Sequence, residues 1–84
     1  MSNLSNKEMK LMDDFIAACQ YMNYGSNKEL HIRKIKLVVA RCDYEKGNLY
    51  NIHVYKGRTN LCNISDISIN NLESETKRIL AIDF

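Results

Sequence analysis

Neither proline nor tryptophan occurs in this chain of 84 residues, and glycine occurs only three times. A chain so poor in structure breakers is not a linker or a low-complexity segment. Cys19, Cys42 and Cys62 form no Cys-x-x-Cys pair, and His31 and His53 lie far apart in sequence. Structural zinc sites are built mostly from close ligand pairs, so no metal is expected. Three cysteines cannot all pair with one another, and free thiols in a reducing compartment are the expectation. No glycine-rich phosphate loop is present, and no strand-helix-strand crossover suits a dinucleotide, so no cofactor is expected. The first residues show no apolar run behind a basic patch, and no stretch reaches the length of a membrane span. A cytoplasmic location follows as an expectation.

Charge is nearly balanced. Twelve Lys and Arg face ten Asp and Glu, a net charge of +2, which does not imply nucleic acid by itself. A hydrophobic fraction of 45% and a charged fraction of 26% are ordinary for a globular protein. One domain, 1–84, is the expected count, and a chain this size buries roughly 60–65% of its extended surface.

What the chain does have is a β-hairpin at 35–54. Both arms are rich in β-branched and aromatic residues, and Lys46-Gly47 interrupts them. A three-residue loop with Gly47 in the left-handed conformation would pair Cys42 with Tyr50, Ala40 with Ile52 and Val38 with Val54. That register turns these six side chains to the core. It leaves Leu37, Val39, Leu49, His53 and Tyr55 on the other face, framed by Arg41, Asp43 and Asn51.

Around the hairpin, Ser5 and Glu8 form a capping box for a helix over 6–22, with Met9, Met12, Phe15, Ile16, Cys19 and Met22 on its apolar side. Leu30 to Arg33 alternate as a strand does. Lys34 and Lys36 would continue the face of Leu30 and Ile32, and a bulge or break at Arg33-Lys34 would resolve that conflict. After a second Lys-Gly turn at Lys56-Gly57, a strand runs over 61–67, with Cys62 and Ile64 on the core face. Asn70 or Asn71 then caps a helix with Glu73 and Glu75 in its first turn. Its apolar stripe is Leu72, Thr76, Ile79 and Leu80. The fold class is α+β in the order α-β-β-β-α, a three-stranded antiparallel meander with two helices packed on one face.

No nucleophile and base share an evident surface. The carboxylate pairs Asp13/Asp14 and Glu73/Glu75 fall on amphipathic helices, where a solvated face explains them, so the chain is not expected to be an enzyme. An apolar centre with an aromatic and a polar rim suits a protein interface, which gives Leu37, Arg41, Lys46, Leu49, His53, Tyr55, Lys56 and Arg58 as candidate partner-binding residues. The expected function is a small non-enzymatic protein-binding module acting by surface occlusion. Its size and its asparagine-, isoleucine- and lysine-rich usage suit a phage or mobile-element inhibitor of a host factor, of the anti-defence type. An alternative is a nucleic-acid-binding domain using His31, Arg33, Lys34 and Lys36. Against it, Asn70 to Thr76, where a phosphate-gripping helix would begin, is acidic. A homodimeric assembly or accessory subunit is the third expectation.

Overall fold

The computed structural model describes residues 4–43, 45 and 47–82. The order is α1 (Asn6–Cys19), β1 (Asn27–Ile32), β2 (Ile35–Arg41), β3 (Leu49–Lys56), β4 (Thr59–Ser68) and α2 (Ile69–Leu80). All neighbouring strands are antiparallel, and the sheet runs β1-β2-β3-β4. The class is α+β and the topology a meander, but the sheet has four strands rather than three. The added strand is β1. Leu30 and Ile32 alternate into the core as expected, and the break at Arg33-Lys34 is a complete reversal in which Ile32 pairs with Ile35.

Helix α1 begins on the Ser5–Glu8 capping box, with Ser5 Oγ accepting from the Glu8 amide at 3.1 Å and Glu8 Oε1 accepting from the Ser5 amide at 2.9 Å. It ends earlier than predicted, at Cys19, yet Met22 in the following turn is still buried. Met12, Phe15, Ile16 and Cys19 pack inward, while Met9 stays largely exposed.

The β2–β3 register differs by one residue from the predicted one. Arg41 pairs with Tyr50, Val39 with Ile52 and Leu37 with Val54. The face of β3 is as predicted, with Tyr50, Ile52 and Val54 buried. The face of β2 is reversed: Leu37 and Val39 are fully buried and Val38 and Ala40 are not. The turn explains the slip. The Cys42 amide donates to the Leu49 carbonyl at 3.0 Å, one residue away from the register that a three-residue loop at Gly47 would set. Burying Leu37 and Val39 also removes more apolar surface than burying Val38 and Ala40, at roughly 0.8 kcal/mol per CH₂.

β3 and β4 join through a two-residue turn, Gly57-Arg58, with Lys56 opposite Thr59. Gly57 has φ +62, and glycine at the first central position suits the twist of a hairpin. β4 starts earlier than predicted and carries two irregularities. Ser65 and Asp66 together oppose Asn51, and Leu61 is extra between the Cys62 and Asn60 pairings. The first bulge lets Ile64 and Ile67, three residues apart, face the same core. Asp66 takes φ +58 there, and its amide donates to Asn51 Oδ1 at 3.2 Å.

Helix α2 follows β4 without a loop. Its N-cap is Ser68, not Asn70 or Asn71, its first turn carries no carboxylate, and the predicted stripe Leu72, Thr76, Ile79 and Leu80 is buried. The Thr76 hydroxyl donates to the Leu72 carbonyl at 2.8 Å, which permits its full burial. Buried residues of both helices join one core with Leu30, Leu37, Val39, Tyr50, Ile52 and Ile67. Both helices therefore lie on one face of the sheet.

Candidate binding surface

The two ends of the sheet are built differently. At the 43–48 end, Arg41 points to the helical side because it shares parity with Leu37 and Val39. Its guanidinium stacks 4.1 Å from the Tyr24 ring centre, with Tyr50 at 5.7 Å. Nη1 donates to the Met22 carbonyl at 2.7 Å, and Nη2 to Asn48 Oδ1 at 2.9 Å. The Arg41 backbone pairs with Gly25 and Ser26 at 2.9 Å each. Beside it, the Tyr50 hydroxyl donates to the Cys19 carbonyl at 3.0 Å, closing the end of α1. Burial pushes the Tyr50 hydroxyl's pKa up, opposed by the nearby Arg41 charge. Arg41 thus fastens the α1–β1 connection to the β2–β3 loop.

The sheet face away from the helices carries Lys36, Val38 and Ala40 from β2 and Leu49, Asn51, His53 and Tyr55 from β3. All seven are half-buried by lateral neighbours. Across the strands, Val38 pairs with His53 and Lys36 with Tyr55, whose ring centre is 5.0 Å from the ammonium. His53 Nδ1 and Asn63 Oδ1 lie 2.8 Å apart, and Asn63 and Asn60 exchange amide hydrogen bonds at 3.0 and 3.1 Å. Asn60 also donates to the Val54 carbonyl at 3.1 Å, where the second β4 irregularity frees it.

At the opposite end the Arg33-Lys34 and Gly57-Arg58 turns lie side by side, linked by the Ile35–Lys56 pair. Arg33 has φ +59, uncommon for a residue with a side chain. From that position its guanidinium forks onto Glu8, Nε to Oε2 at 2.9 Å and Nη2 to Oε1 at 3.1 Å. The Arg33 hydrogen bonds, helped by the Ser5 amide, hold the Glu8 carboxyl at a pKa of about 2, and Arg33 is raised in turn. Lys34, Lys56 and Arg58 are exposed, and His31 lies 3.4 Å from Glu29. A cleft of about 250 Å³ opens between this end and the C-terminus of α2, with Ile35, Ile79 and Leu80 beneath and Lys34 and Lys56 at its rim.

The sequence-predicted partner residues therefore separate. Leu37 is in the core and is removed from any surface, because of the one-residue difference in register. Arg41 lies on the helical side and is engaged within the molecule. Lys46 lies outside the described residues. Leu49, His53 and Tyr55 share the uncovered face, while Lys56 and Arg58 join His31, Arg33, Lys34 and Lys36 at the turn end. The meander brings the two predicted sets together there, which their sequence separation hides.

All three cysteines are free thiols. Burial pushes Cys19 up to a pKa of about 11. Cys42 lies on the uncovered side, against Asn51 Oδ1 at 3.7 Å, and not in the core as predicted. Among the described residues no three His, Cys, Asp or Glu side chains converge as a metal site would need. Among them, too, no helix is long and apolar enough to cross a membrane. No family model, curated protein or solved structure matches the chain.

Proposed function

We propose that this protein is a non-enzymatic binding module that works by laying the uncovered face of its sheet on a protein partner. The observation that carries the reading is the one-sided packing: two helices share one face, and Val38, Leu49, His53 and Tyr55 line the other, with no described element over them. An apolar centre there is ringed by Lys36, Asn51 and Asn63, the anatomy of a modest interface. The loss of Leu37 and Val39 to the core narrows the patch to β3 and the alternate residues of β2. Inhibition of a host factor by occlusion is a form such a module takes.

The test compares wild type with a His53→Ala/Tyr55→Ala double variant. Tagged protein captures its partner from cells of its source, and hydrogen exchange on the purified complex then locates the contact. The expected result is protection of 36–40 and 49–55, with capture at least ten-fold weaker for the double variant. Protection confined to the helices, or equal capture by both proteins, would sink the reading. A two-fold dimer protected over the same segments would replace the foreign partner by a second copy.

A further inference from the structure

We infer that the turn end of the sheet is a binding site for a nucleic-acid backbone, which adjoins the uncovered face at Lys36 and differs from it in Lys34, Lys56 and Arg58. Three strands and two tight turns bring Lys34, Lys36, Lys56 and Arg58 to one edge, beside His31 and the Arg33–Glu8 fork. The surrounding sequence is free of carboxylates: residues 30–42 and 49–65 contain no Asp or Glu. Of two acids that approach this edge, Glu8 is occupied by Arg33, and Glu29 lies 3.4 Å from His31, an ion pair only when His31 is protonated. Lys34, Lys36 and Arg58 form no ion pair among the described residues. On the helices, three cations are matched locally, in Lys10–Asp14, Lys77–Glu73 and Arg78–Glu75. A net charge of +2 therefore understates the field at this edge.

The chemistry favours phosphates over an acidic protein. The aromatic at this edge, Tyr55, lies under Lys36, and the apolar floor of the cleft, Ile35, Ile79 and Leu80, is flanked by Lys34 and Lys56. Cations held on and beside tight turns suit a ligand recognised by repeating charge. Neutralising about three or four phosphates gives a log–log salt slope of roughly −2 to −4.

The experiment is fluorescence anisotropy with a labelled strand of about 20 nucleotides and its duplex, between about 50 and 200 mM salt, where screening tightens. Wild type should bind at least one of the two with that slope. Lys34→Glu/Arg58→Glu should weaken binding at least ten-fold, while Lys7→Glu/Lys10→Glu on α1 should change it less than two-fold. Both pairs are exposed, and circular dichroism checks that each variant is folded. A polyglutamate chain of equal charge is the rival ligand. Binding to neither nucleic acid at low salt, equal loss in both variants, or polyglutamate binding as tightly as the strand would each overturn the assignment. The uncovered-face variant His53→Ala/Tyr55→Ala leaves Lys34 and Arg58 in place, so the two surfaces fail or survive separately.

Discussion

Arg41 at one end of the sheet and Arg58 at the other carry the same group into opposite surroundings. Arg41 is drawn inward, stacked on Tyr24 and bonded to the Met22 carbonyl and Asn48. Arg58 sits on a two-residue turn, exposed and without an ion pair among the described residues. At the loop end the Arg41 guanidinium ties the Met22 carbonyl to Asn48. The two-residue Gly57-Arg58 turn closes directly on the Lys56–Thr59 pair and leaves Arg58 exposed. Arg41 therefore acts as a fastener, as Arg33 does on Glu8, while Arg58 adds to a surface field.

Four measurements would break or sharpen that contrast. Arg41→Ala should be the most damaging, removing charged hydrogen bonds and a stacked cation at a loss of about 2–4 kcal/mol in urea denaturation. A loss as small as that of a surface substitution would show that the loop end is held otherwise. Tyr50→Phe keeps the ring but leaves the Cys19 carbonyl only the Met22 amide at 3.5 Å, and should lose about 1–2 kcal/mol by the same measurement.

At the turn end, Glu8→Gln probes the forked ion pair with Arg33. Glu8 is held at a pKa of about 2 against a usual value of 4.5, so the folded state takes up its proton less readily than the unfolded chain. Its contribution is complete above about pH 4.5 and is lost as pH falls towards 2. Wild type should thus exceed the variant in thermal stability at pH 7, with the gap closing in acid. A gap that widens on acidification would contradict the pairing. Finally, Lys34→Gln/Arg58→Gln should alter stability by less than about 0.5 kcal/mol, as surface changes do. A larger loss would mean that these cations are structural after all.

Much of the fold was legible in the sequence, and the misses have physical causes. The capping box, the inward stripe of α1, the buried face of β3 and the stripe of α2 all follow from local chemistry and periodicity. β2 is the exception, because both of its faces are apolar: Leu37 and Val39 on one, Val38 and Ala40 on the other. Alternation cannot choose between them, and the choice then rests on turn length, which Gly47 alone does not set. The role of Arg41 was hidden for a related reason. Its partners Met22 and Asn48 come from separate segments, and no spacing encodes that meeting. The Arg33–Glu8 fork joins residues from the β1–β2 turn and the first turn of α1, so it too appears only once the meander is folded.

The irregularities in β4 have a consequence for the protein's life in a crowded solution. β4 is the longest strand and forms an edge of the sheet. A straight edge of that length is a template on which another chain can add a strand and begin an aggregate. Here the regular pairing is confined to Thr59–Asn60, Cys62–Ile64 and Ile67–Ser68, with the backbone turned aside between them. The left-handed Asp66 and the extra Leu61 break the outward row of donors and acceptors into fragments too short to propagate. The twist that seats Ile64 and Ile67 in the core thus also protects the molecule against polymerisation.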